Sequence, residues 1–379
     1  PTRRSSDLAF PEPSVEVIPL GVDLASYAPP DPASRAALRR ELGFGGETVF
    51  LTLARLCHSS KMDFLPILRA FQRVAMAEGA APARLVLAGW TDEGDWGRGT
   101  LSDLARNIGL PLSVFERPTE ELKRKLYAAS DVFLSPSDNL QETFGLTLLE
   151  AQACGLPVVA SDFDGYKDLV DHGETGLLVP TVGPDLTDAE DVMAPMAFDN
   201  HTHLVLAQRT AVDVAALARA VTRLAADPDA RADMGRAARE KASGYGWESV
   251  AARHVRLWEG LWAKDVPGRP AARHPAAIPY ASVFGGYPTR TLDGAALLRT
   301  SRFGNAVYRG QDFPVVYEAL AGRVSMDAVR AALVLARKPV DGRELVARLR
   351  AAMPGAGKED AQAVTLWCLK HDLLELCDA

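Results

Sequence analysis

Nowhere does the chain offer about 18 consecutive apolar residues, so no membrane-spanning helix is expected. Its start lacks the pattern of a secretory signal. Cysteine is scarce, with four in 379 residues (Cys57, Cys154, Cys368 and Cys377) and no CxxC pair. Buried free thiols in a reducing cytoplasm are the expectation. Strong charge of either sign is also missing. A formal net charge of -7 gives no general affinity for nucleic acid. No internal repeat occurs, and the glycine-rich GDWGRG at 94–99 lacks GxGxxG order, so it reads as a loop and not a phosphate cradle.

What remains is ordinary for a globular chain of about two domains: 47% hydrophobic and 24% charged. Residues 1–14 read as a non-native or disordered leader. The chain opens on Pro1, and PTRRSSDL resembles a translated sequencing adapter. From Val15 to about Pro180, short apolar runs alternate with amphipathic stretches. Strands are expected at 15–20, 48–54, 84–89, 112–116, 131–137, 156–161 and 175–180. Helices are expected at 34–42, 63–79, 101–109, 120–130, 144–155 and 166–173. That alternation predicts a Rossmann-like parallel sheet flanked by helices. Residues 181–204 read as a loop, and three helices follow to residue 263. A Pro-rich linker spans 265–279, and 280–379 reads as a small, mainly helical accessory domain. Charges in that last block nearly balance, which argues against a DNA-binding winged helix and for a packing or interaction role.

The informative segment is SPSDNLQETFGLTLLEAQACGLPVVASDFDGYKDLV, residues 135–170. A strand ends near Ser135, and a helix begins near Phe144. Its N-terminus presents unpaired N–H groups and a positive dipole suited to phosphate. Gly145 has no side chain to obstruct an anion. Glu142 precedes the helix and Glu150 lies two turns inside it, so the pair can bracket one extended polar ligand. A glutamate eight residues from another is common by chance; the neighbouring pieces FG, EAQACG and GLPVVAS, in that order, make this pair informative.

Together with HGETGLLV at 172–179, these pieces resemble the E-x7-E donor motif of family-four retaining glycosyltransferases, which have the GT-B fold. The resemblance covers roughly 15–264. It implies the C-terminal, donor-binding half of such an enzyme, with the acceptor-binding N-terminal half missing. It further implies that Glu142 contacts the transferred sugar and Glu150 the nucleotide ribose. Thr143, Phe144, Gly145 and Leu146 would hold the diphosphate, the last three through their main-chain N–H groups. Upstream, ARLCHSSKMDFLPILRAF at 54–71 resembles the segment whose Arg and Lys bind that diphosphate, here Arg55 and Lys61. Two fixed cations would replace a metal, so no metal and no cofactor beyond the nucleoside diphosphate sugar is expected. The Arg-to-Lys spacing is one residue longer than usual, and Met62 stands where glycine is frequent. Arg117, in ERPTEEL at 116–122, occupies the place where the base is held.

The implied activity is metal-independent transfer of a hexose from a UDP or GDP sugar, with retention, in the cytoplasm. The acceptor would be a carbohydrate, a lipid-linked or a small molecule. Peripheral membrane association would run through the absent half. The alternatives are a non-catalytic nucleotide-sugar-binding fragment or a related GT-B epimerase or phosphorylase. Three other signals take blander readings. Asp162-Phe163-Asp164 spells DxD but reads as a turn after a strand. His201 and His203 form HxH in an expected exposed loop. The Trp247, Trp258 and Trp262 stripe reads first as core packing, or as an exposed face if its partner half is absent.

Overall fold

TVFLTL and ARLVLAG are β-branched and aliphatic almost throughout, a composition that suits strands buried on both faces. They form β1 (Thr48–Leu53) and β2 (Ala83–Gly89), at the middle of a six-stranded sheet. The computed structural model describes residues 15–57, 61–91, 99–194, 196, 199–264, 283–292 and 296–377. The 1–14 leader, the 265–279 linker and residues 94–98 of the glycine-rich loop lie outside them. β3 (Leu112–Glu116), β4 (Val132–Ser135), β5 (Val158–Ser161) and β6 (Gly176–Val179) complete the sheet in the order β3-β2-β1-β4-β5-β6, every pair parallel. This is the doubly wound, Rossmann-like arrangement that the alternation predicts.

Strand residues divide by period two between the faces. Phe50, Leu85, Leu87, Val132 and Leu134 join one apolar cluster with α2 (Leu65–Ala75) and α9 (Val214–Ala226). Val49, Leu51, Val86, Ala88 and Phe133 join another with α4 (Glu120–Ala129) and α5 (Leu146–Ala153). The cluster on the α2 side extends into the C-terminal block through Leu298, Val329, Leu345, Val364 and Trp367. That block contains helices Arg302–Tyr308, Met326–Leu335, Gly342–Ala352 and Lys358–Lys370. Its small antiparallel sheet runs β11 (Val340–Asp341), β10 (Leu297–Thr300) and β12 (Leu374–Leu376). It is therefore mainly helical, as expected, and it shares a core with the parallel sheet.

Three expectations are corrected. Residues 15–20 form no strand; they run as unpaired coil, and a single bridge follows at Val22, to Gly246. Apolar alternation makes a strand only where a sheet edge supplies partners; here Arg253 Nη2 donates to the Val17 carbonyl at 2.9 Å instead. Residues 181–204 are no plain loop. They contain β7 (Thr181–Gly183), α7 (Asp188–Met193) and α8 (Asn200–Ala207). α8 is buried on nearly every side from Thr202 to Ala207, so its sequence carries no helical stripe to read. Consequently His203 is buried inside a helix and is not a loop residue, and burial pushes its pKa down. Finally, α11 (Trp247–Trp262) does not bury its stripe: Trp247, Trp258 and Trp262 are 56%, 61% and 92% exposed. No helix among the described residues is long and apolar enough to cross a membrane. The thiols of Cys57, Cys154 and Cys368 are buried.

Candidate functional site

In a parallel sheet of this kind, ligands sit beyond the C-terminal strand ends, where the strand order reverses. Here that point lies between β1 and β4. A cavity of about 410 Å³ opens there. Leu53 ends β1 and Ala54 and Arg55 follow it, Gly89 ends β2 and Trp90 follows it, and Pro118, Glu120 and Lys123 follow β3. Gln141, Glu142 and Thr147 follow β4. A larger groove of about 710 Å³ lies between α2, α3 (Leu101–Asn107) and helix Arg302–Tyr308. It lacks the strand ends and the motif residues, so the smaller cavity is the candidate site.

Lys61 and Glu142 meet on its floor. Lys61 Nζ is ion-paired to Glu142 Oε2, both side chains being largely buried. Tyr166 Oη ties them together: it donates to Glu142 Oε2 at 3.0 Å and lies 3.2 Å from Lys61 Nζ and 2.8 Å from Ser135 Oγ. Burial, then the nearby Arg55, push the Lys61 ammonium down to about 7, while the touching Glu142 carboxylate works in the opposite direction. Arg55 is exposed at the rim, where its Nη2 donates to Gln141 Oε1 at 3.2 Å. Met62, the departure from the family pattern, is fully buried in the core on the α2 side.

Glu150 is placed differently. It is buried on α5, facing α4. Lys123 Nζ donates to its Oε1 at 2.8 Å, and Tyr127 Oη to its Oε2 at 2.8 Å. Lys123 also lines the cavity, so it stands between Glu150 and any ligand there. Burial and the Glu150 carboxylate push the Tyr127 phenol well up, which keeps it a donor. The motif reading missed Lys123, Tyr127 and Tyr166. Lys123 and Tyr127 are four apart on one helix and share a face, a spacing readable in the sequence once Glu150 is singled out.

Gly145 caps α5 with φ 102°, a left-handed conformation. A Cβ there would lie 2.6 Å from the Tyr166 ring, so glycine is required by the backbone and by close packing together. That differs from the anion-clearance reason expected from sequence. Gly145→Ala is expected to cost about 1–3 kcal/mol and to displace Tyr166 from Glu142. A chemical melt combined with nucleotide titration checks both effects, and an unchanged melt would contradict this account. Thr143 and Leu146 are exposed beside this cap, Phe144 is partly buried, and the buried Thr147 hydroxyl of the first turn has no hydrogen-bond partner among the described residues. Arg117, at φ 49°, lays its guanidinium over the Trp90 ring, 5.6 Å from the centroid, at the cavity's edge. The DxD carboxylates are engaged separately. Asp162 Oδ2 accepts from Thr289 Oγ1 at 2.9 Å, and Asp164 is buried, its carboxyl pushed up to about 7 by burial against a hydrogen bond from Tyr287.

Residues 47–191 match the family model described as glycosyl transferases group 1. Over 242 residues the chain is 34% identical to the D-inositol 3-phosphate glycosyltransferase of Kribbella flavida, covering 62% of this chain and 49% of that protein. Over 173 residues it is 37% identical to the like-named protein of Rhodococcus erythropolis, covering 44% and 37%. The chain thus spans half or less of the length of these two relatives. Among solved structures, sucrose-phosphate synthase from Thermosynechococcus elongatus aligns at 26% identity and a TM-score of 0.49, covering 65% of this chain and 53% of that one. Its segment 47–191 is thus similar to the group 1 glycosyl transferases.

Proposed function

We propose that this chain is the donor-binding half of a retaining, metal-independent glycosyltransferase that uses a nucleoside diphosphate sugar. The observation that carries the reading is the meeting of Lys61 and Glu142 in a cavity at the sheet's switch point, beside a helix N-terminus. Arg55 and Lys61 neutralise the diphosphate and the charge that grows on it as the sugar departs. The N–H groups at Phe144, Gly145 and Leu146 complete that cradle. Glu142 accepts from sugar hydroxyls. Glu150, with Lys123, fixes the ribose end, and Arg117 with Trp90 borders the base. The group 1 match and the relatives' names support sugar transfer. The exposed Trp258 and Trp262 face of α11 is where an acceptor-binding half would pack.

Titration calorimetry with UDP and GDP, with and without EDTA, tests this directly. One nucleotide should bind in both conditions, and Glu150→Ala should weaken it roughly tenfold by freeing Lys123 and the ribose pocket. Binding by neither nucleotide would remove the donor site, and binding abolished by EDTA would remove metal independence.

A further inference from the structure

The two loops that carry Lys61 and Glu142 are fastened from below by the C-terminal block. Asp138 lies four residues before Glu142, and Asp63 two residues after Lys61. Both are completely or almost completely buried. Asp138 Oδ2 is ion-paired at 2.6 Å with Lys370 Nζ, the last residue of helix Lys358–Lys370, and neither side chain is more than 1% exposed. The same oxygen accepts the Asp63 N–H at 3.3 Å. Asp138 Oδ1 has no partner among the described residues, so Oδ2 carries the whole anchorage. Lys370 Nζ also donates to the Ala207 carbonyl at 2.8 Å. Around Asp63, Tyr317 Oη donates at 2.8 Å and Gln208 Nε2 at 3.1 Å, with His371 Nε2 at 3.6 Å. Next door, Ser137 Oγ donates to the Lys61 carbonyl at 2.9 Å, which ties the two loops directly.

We propose that Lys370 is a positioning residue for the donor site, fixing the Lys61 loop against the Glu142 loop through the Asp138 carboxylate they share. This rests on the donor-site reading above. A buried charge pair is weak support for stability, since desolvation offsets its attraction. Such a pair can instead specify one arrangement of the segments it joins. Here those segments are the two that carry the site's cation and its acid, while the lysine comes from a block none of whose described residues lines the cavity. Burial raises the Asp138 carboxyl to about 6 and the Lys370 ammonium pulls it back, so the charge on Asp138 depends on this partner.

Lys370→Met alone would strand a buried carboxylate, so the deciding variant is Lys370→Met with Asp138→Asn. It removes both charges and keeps an acceptor for the Asp63 N–H. The double variant should melt near the unaltered chain. Its Gln141 and Glu142 amides, which donate to Asn139 in the native loop, should nevertheless exchange hydrogen roughly tenfold faster. UDP or GDP should bind roughly tenfold more weakly. A double variant with native exchange at both amides and native affinity would overturn the proposal. Should the unaltered chain bind neither nucleotide, the donor reading fails by itself, and the exchange measurement still decides whether Lys370 holds the loop.

Discussion

Replacing Lys61 with alanine is expected to weaken UDP or GDP binding by roughly thirtyfold, or about 2 kcal/mol. Hydrogen bonds to charged groups contribute most where water is excluded, and Lys61 retains only 15% side-chain exposure beside Glu142. Alanine does more than delete a donor. Among the described residues it leaves the Glu142 carboxylate with Tyr166 alone, a bare negative charge facing an incoming diphosphate. Lys61→Arg should therefore retain most of the affinity and Lys61→Met little. Arg55→Ala should cost less, up to about 1 kcal/mol, because its exposed guanidinium acts through solvent and salt. Calorimetry at fixed ionic strength ranks the four variants. Native affinity in Lys61→Ala alongside lost binding in Arg55→Ala would reverse the roles assigned here.

That ranking inverts what the sequence suggests. The spacing of ARLCHSSK favours Arg55, because the family pattern holds there and is stretched by one residue at Lys61. The fold compensates for the stretch: Met62 turns into the core, and Ser137 holds the Lys61 carbonyl, which brings the ammonium to Glu142. Elements whose signal is local were legible. The strands of the parallel sheet show as apolar runs, and the α5 N-terminus shows as a polar loop entering FGLTLLEAQA. What could not be read depends on contacts far apart in the chain. Lys370 looks like an ordinary cation in the last turn of a helix, a position that suits solvent. Its burial follows from where that helix docks, 232 residues beyond its partner Asp138. α8 failed for the complementary reason: a helix enclosed on nearly all sides has no polar face, so periodicity, the usual cue, vanishes. Glu142 and Glu150 both stand out in the sequence, but the Lys123 and Tyr127 contacts that turn Glu150 away from open solvent belong to a different helix.

The largest stability loss is expected from Arg209→Ala, about 3–5 kcal/mol at neutral pH. Arg209 is almost fully buried, and its Nη1 lies 2.7 Å from both Glu190 Oε2 and Glu359 Oε1. Its Nη2 donates to the Leu186 carbonyl. Three elements therefore meet on one guanidinium: α7, the turn after α8, and the helix Lys358–Lys370 that also supplies Lys370. Burial raises Glu190, but Arg209 holds it below the ordinary carboxylate value. Burial and the neighbouring Glu190 push Glu359 up. Without the guanidinium, two acids face each other with Arg323, among the described residues, as the remaining ion-paired cation, 3.3 Å from Glu190 and half exposed. Both folded-state pKa values then rise above the unfolded value of about 4.3. Between those values the folded chain binds more protons than the unfolded one, so the variant's stability falls as pH rises through that window. The penalty should accordingly be smaller at pH 5 than at pH 7.5, and Glu190→Gln added to Arg209→Ala should restore part of it at the higher pH. Urea unfolding of the single and double variants at both values measures this. A loss that is equal at the two pH values would show that Arg209 contributes packing and not charge compensation.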